Sequence, residues 1–177
     1  MEKFKLKDGN EIPALGLGTW QLIGETCTRV VRKALELGYR HIDTAEIYGN
    51  QREIGTAIKG FPREELFITS KVWTNHLRYE DVLKACEQTL EELGTDYLDL
   101  YLIHWPSEEV PLRETLGAMK ELKKKGKIRS IGVSNFEIKH LEEALKVAGD
   151  LVINNQIEFH PYLYPGRSMG SVGGMKS

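Results

Sequence analysis

Two rhythms alternate along this chain. Short runs of strand character lie at Leu15–Thr19, Arg40–Ile42, Leu66–Thr69, Tyr97–Ile103, Ile128–Val133 and Leu151–Ile153. Between them, apolar residues recur at spacings of three and four, which marks the inner stripe of an amphipathic helix. The stripes are Val30, Val31, Ala34 and Leu35; Ile54, Ala57 and Ile58; Val82, Leu83, Cys86 and Leu90; Leu112, Thr115, Leu116, Met119 and Leu122; and Ile138, Leu141 and Leu145. Helices are predicted from about Thr26 to Leu37 and from Tyr79 to Leu93, with Gly38, Gly60, Gly94 and Gly126 at the stops. Asn50 and Glu53 have the spacing of a capping box, and Pro111 suits a first helical turn. Ahead of all this, Phe4–Lys7 and Ile12–Leu15 flank Asp8-Gly9-Asn10, which predicts a hairpin.

After the hairpin the pattern is strand then helix, five times over, plus one more strand. Right-handed crossovers of this kind build a parallel sheet. A closed barrel and a doubly wound open sheet both satisfy that order. The polar residues favour the barrel. Thr19, Asp43, Lys71, His104, Asn135 and Gln156 all fall at or just after strand C-terminal ends. A barrel gathers those ends around one mouth, whereas an open sheet concentrates its site at one switch point. The expected fold class is α/β, of the (β/α)8 TIM-barrel type, with an N-terminal hairpin and six of the eight barrel strands.

Composition narrows the partners. The chain has 177 residues, 41% of them hydrophobic and 28% charged, with a formal charge of −2. This balance predicts a packed domain and gives no attraction to nucleic acid or an anionic membrane. No apolar run is long enough to span a bilayer, and the start of the chain lacks a signal-peptide pattern. Cys27 and Cys86 sit inside helical stripes and read as buried thiols of a reducing compartment. The expected location is the cytoplasm. His41, His76, His104, His140 and His160 are scattered without ligand spacing, so no metal site is predicted.

Asp43, Tyr48, Lys71 and His104 form a coherent chemical set. A tyrosine is a poor acid at neutral pH, with a reference pKa of about 10. A neighbouring ammonium should lower that value by ~1–3 units. The ammonium needs a carboxylate in a low-dielectric pocket, and Asp43 supplies one. A histidine can orient a carbonyl oxygen. Such a set protonates an oxygen as charge develops on it, and carbonyl reduction then needs a nicotinamide to supply hydride. Taken singly, each residue also has a structural reading: Asp43 as a turn cap, Lys71 in an ion pair, His104 and Trp105 as packing beside Pro106. A Schiff-base lyase acting through Lys71 is the chemical rival.

At these positions the sequence resembles the aldo-keto reductase family. The resemblance is carried by GYRHIDTAEIYGN at 38–50, ITSKVW at 68–73, LIHWP at 102–106, IGVSNF at 131–136 and NNQIEFHPY at 154–162. With the hairpin it covers residues 4–165. The resemblance implies Tyr48 as proton donor, assisted by Lys71 and Asp43, with His104 orienting the carbonyl. It implies Ser134, Asn135 and Gln156 on the nicotinamide carboxamide, with Thr19, Trp20 and Asp43 beside the cofactor. Trp20, Trp73 and Trp105 would wall the substrate pocket together with Tyr48 and His104. The implied cofactor is NADPH, with NADH as the other possibility, and the implied substrate is a small carbonyl compound or alcohol.

The family pattern stops after the sixth strand. Residues 166–177, GRSMGSVGGMKS, continue no family motif and are expected to be an irregular tail. Two further βα units and their phosphate-gripping segments are not found. The resemblance therefore implies a truncated barrel, poorly active or inactive alone. A complete member would be a monomer, whereas exposed strand edges would favour self-association here. A non-catalytic nucleotide-binding or regulatory relative is the alternative reading.

Overall fold

The computed structural model describes residues 1–163. An antiparallel hairpin, β1 (Lys3–Lys5) and β2 (Glu11–Pro13), comes first, with Phe4 opposite Ile12. The elements that follow are β3 (Gly16–Gly18), α1 (Gly24–Glu36), β4 (His41–Asp43), α2 (Gln51–Ile58), β5 (Phe67–Val72) and α3 (Tyr79–Leu93). Then come β6 (Leu98–Ile103), α4 (Leu112–Lys124), β7 (Ile128–Ser134), α5 (Ile138–Ala148) and β8 (Val152–Gln156). The strands β3 to β8 form one parallel sheet in sequence order. Among the described residues, β3 and β8 are its two edges.

The sheet is curled, and one bond demonstrates it. Gln156 at the end of β8 donates to the Asp43 carboxylate at the end of β4 over 2.7 Å. Four strand spacings separate β4 from β8, or ~19 Å in a flat sheet. Two side chains cannot bridge that distance, so the strands must bend into the wall of a barrel. This excludes the doubly wound alternative.

Alternation along each strand makes two cores. Outward residues such as Ile42, Ile68, Val72, Tyr101, Ile131 and Val133 pack against the buried stripes of α1 to α5. Inward residues Phe67, Leu100 and Leu102 meet Leu6 and Ile12 of the hairpin region. The hairpin thus plugs the inside of the barrel floor. Asp8 fastens it, accepting hydrogen bonds from Ser130 at 2.9 Å and Lys123 at 3.1 Å. Asp99, the one charge in β6, is buried but satisfied by Arg63 (2.7 Å), the Ile68 N–H (2.9 Å) and Arg129 (3.3 Å). Both thiols are buried and free, as expected.

Several local readings need correction. The hairpin loop is five residues, not three, closed by Leu6 N–H to Asn10 O and Gly9 N–H to Leu6 O. Asp8 is drawn towards Ser130 instead of a tight two-strand turn. Asn50 and Glu53 make no capping box. Asn50 is the N-cap residue, but its side chain bonds elsewhere. The observed box is at Glu137 and His140, at the start of α5. Pro111 precedes the first turn of α4. The strands carrying Lys71 and Gln156 run further than predicted, so both residues lie within strands. Among the described residues, no helix is long and apolar enough to cross a membrane. The expected tail, 166–177, lies outside the described residues.

Candidate active site

Strand register gathers the chemistry at one rim. Asp43 ends β4, Lys71 is the penultimate residue of β5, and His104 follows β6 directly. Tyr48 ends a single 3-10 turn, Glu46–Tyr48, which Gly49 closes in the left-handed region at φ 63°. Glycine takes that conformation without steric penalty.

Lys71 is almost fully buried and donates to Asp43 Oδ1 at 2.5 Å and to Thr44 O at 3.0 Å. Burial lowers the Lys71 pKa and Asp43 opposes that shift. Its Nζ lies 5.2 Å from the centroid of the Tyr48 ring. The Tyr48 and His104 rings meet edge to face at 5.7 Å, as do Trp73 and His104 at 5.1 Å. Trp20 tilts against Tyr48 at 5.0 Å. These four aromatic rings therefore form one contiguous wall.

The electrostatics of Tyr48 differ from the sequence expectation. Burial and the Asp43 charge push its hydroxyl up to about 12, where a lowered value was predicted. Desolvation is the larger cause, and two of the three Lys71 N–H groups are directed to Asp43 and Thr44 O. His104 moves the other way, down to about 4, through burial and then the Lys71 charge. It is neutral at pH 7, and its buried Nδ1 has no hydrogen-bond partner among the described residues.

A trough of about 1140 Å³ runs along the open side of the barrel. Phe4, Ile12 and Gly16 line its floor, and Trp20, Asp43, Tyr48, Trp73, His104, Trp105, Ser134, Asn135 and Gln156 line its rim. Trp20 and Trp105 are exposed. Thr19 is fully buried behind the rim, with its hydroxyl donating to Asp43 O at 2.9 Å. Gln156 Nε2 is held by Asp43, and Ser134 donates to Gln156 O at 3.0 Å. Asn135 sits at φ 61° and donates to His104 O at 3.0 Å. The carbonyl oxygens of the Asn135 and Gln156 side chains make no hydrogen bond among the described residues.

One buried residue was misread from sequence. Asn50 donates to Thr19 O (2.8 Å) and Leu22 O (2.9 Å) and accepts from Thr44 Oγ1 (2.8 Å). It ties the loop after β3 to the loop after β4. Spacing alone made it half of a capping box.

The sequence matches the aldo/keto reductase family over residues 14–169. The chain belongs to that family. Over 162 residues it is 52% identical to a glyoxal reductase of Bacillus subtilis, covering 90% of this chain and 58% of that protein. Over 164 residues it is 48% identical to an aldo-keto reductase of Mycolicibacterium smegmatis, covering 91% and 60% respectively. A D/L-glyceraldehyde reductase of Hypocrea jecorina is 44% identical, with 89% and 56% covered. The chain thus spans 56–60% of the length of these relatives. Among solved structures, an aldo/keto reductase from Brucella melitensis superposes with a TM-score of 0.91 at 45% identity, covering 97% of this chain and 68% of that one. A Bombyx mori aldo-keto reductase in complex with NADP gives 0.90 at 33% identity, covering 98% and 63%.

Proposed function

We propose that this chain carries the proton-donating half of a carbonyl reductase site, with Tyr48 as general acid. The observation that carries the reading is the Lys71–Asp43 pair behind the Tyr48 ring, with neutral His104 at its edge. A reduced nicotinamide, NADPH by preference, supplies the hydride when bound. The acceptor oxygens of Asn135 and Gln156 suit the N–H groups of its carboxamide.

The chain's own residues do the rest. His104 is neutral, and a buried N–H without an acceptor is costlier than an unpaired lone pair. Its proton therefore sits on Nε2, where it can hold a carbonyl oxygen. The Tyr48 hydroxyl would give its proton to the carbonyl oxygen as negative charge develops there. Lys71 balances the phenolate left behind, and water reprotonates it. The names of the Bacillus and Hypocrea relatives point to small polar aldehydes as the substrate class.

Because this chain alone is expected to be poorly active or inactive, the test is NADPH oxidation with glyoxal or glyceraldehyde by the chain extended with the remaining C-terminal segment of the Bacillus relative, of which it covers 58%. The expected result is aldehyde-dependent oxidation that Tyr48→Phe lowers by about 100-fold or more, in the range for a lost general acid. NADPH affinity, followed by nicotinamide fluorescence, should hardly change. Unaltered turnover in Tyr48→Phe of the extended chain, or no aldehyde-dependent oxidation by the extended chain, would rule the reading out.

A further inference from the structure

Glu46 takes no part in the proton transfer, yet its carboxylate joins two loops of the site. It opens the 3-10 turn that ends on Tyr48. Its Oε2 accepts the Trp73 backbone N–H at 2.9 Å, and its Oε1 pairs with His76 Nδ1. Trp73 and His76 bracket the turn that follows β5, and the His76 N–H donates back to Trp73 O at 3.1 Å. On the inner side, the His104 ring stands edge-on between Tyr48 and Trp73. The result is a closed circuit from Tyr48 through His104, Trp73 and Glu46, returning along one turn of backbone. A loop carboxylate is ordinarily a solvated group. This one is only 21% exposed and spends both oxygens on the neighbouring loop.

We propose that Glu46 is a positioning residue that clamps the Trp73–His76 turn to the Tyr48 turn. The clamp fixes the gap between the donor hydroxyl and the Trp73 wall, where the carbonyl compound is seated. This assignment rests on the reductase reading only for the role given to Tyr48. The two arms differ in kind. The bond to the Trp73 N–H needs an acceptor but no charge, whereas the bond to His76 gains from charge. Glutamine can therefore replace the first arm and weakens the second.

Amide hydrogen exchange on the full chain, read by NMR, tests the clamp directly. In Glu46→Ala the Trp73 amide should exchange at least about tenfold faster. The Tyr48 and Gly49 amides, bonded to Ala45 O and Glu46 O, should accelerate with it. Amides within β6 should not change. Glu46→Gln should keep most of the Trp73 protection, and His76→Ala should fall between Ala and parent. Faster exchange at Trp73 with Tyr48 and Gly49 unmoved would overturn the proposal, because Glu46 would then anchor only its neighbour's loop. No change at Trp73 would also overturn it. If Glu46→Ala does not fold, His76→Ala carries the test, and unmoved Tyr48 and Gly49 amides there would sink the idea. In turnover, Glu46→Ala should lower kcat for aldehydes about tenfold, keep NADPH affinity, and be rescued by glutamine. Turnover is read in the extended chain, where its absence would count against the reductase reading alone, since the exchange result does not depend on it.

Discussion

Gln156 holds the one oxygen of Asp43 that Lys71 leaves free, from β8 to β4 of the curled sheet. The carboxylate is thereby shared between a cation on β5 and an amide on β8. Gln156→Leu should cost about 1–3 kcal/mol, the range for losing a hydrogen bond to a charged group. Gln156→Glu should cost more at pH 7, because two carboxylates then face one another. Protonation of one relieves that repulsion, so the gap from the parent should narrow as pH falls to 5. Denaturant unfolding at both pH values checks this, and an equal cost at each would show that the two groups do not meet.

The raised Tyr48 pKa separates the two directions of the reaction. Its acid form is complete at neutral pH, so reduction should show no loss from this group up to pH 10. Alcohol oxidation needs the phenolate, and with a value of about 12 that form is scarce at pH 7. Oxidation should then climb close to tenfold per pH unit through the alkaline range. pH–rate profiles in both directions decide it. A plateau in oxidation near neutrality would show that Lys71 outweighs burial after all.

Acid should loosen the fold by way of its histidines. His104 is held down to about 4, and His41 is lowered by burial beneath Asp43. The unfolded chain binds these protons near pH 6.5 and the folded chain does not, so stability falls as pH drops from about 6.5 to 4. The full slope is about 1.4 kcal/mol per pH unit for each proton. Urea midpoints across that window should show it, and His104→Phe should flatten it. A slope unchanged in His104→Phe would exclude this residue as the source.

Helix propensity and packing compete at Gly55 in α2. Alanine there should gain up to ~1 kcal/mol from propensity. The added Cβ, however, would stand 2.6 Å from Glu92 O and 2.8 Å from Leu93 O at the end of α3. Backbone cannot rotate aside, and overpacking costs about 1–3 kcal/mol. Gly55→Ala should therefore lower Tm. A higher Tm would mean that α2 and α3 are not so closely apposed.

Much of the site was legible because reactive side chains fell at successive strand ends. Asp43, Lys71 and His104 needed only the strand–helix rhythm to be brought together. The direction of the Tyr48 shift was not legible, since it depends on burial and on which acceptors engage the Lys71 ammonium. Asn50 stands at the N-cap of α2 as its spacing suggests, but its side chain turns to Thr19 O and Leu22 O, partners that local sequence does not reveal. The bond from the Thr19 hydroxyl to Asp43 O joins two strands and left no trace in local sequence. Glu46 gave no signal, because its partners lie on a loop 27 and 30 residues away.

The sequential order of β3 to β8 bears on how the chain assembles during synthesis. Each strand leaves the ribosome after the strand it will pair with, so the sheet can grow by addition at one edge. No strand has to wait for a later one or insert between two already joined. The links that span more than a hundred residues are polar side-chain bonds, among them Asn10 to Ser130 and Gln156 to Asp43. Those two bonds can form only once β7 and β8 have been added to the sheet.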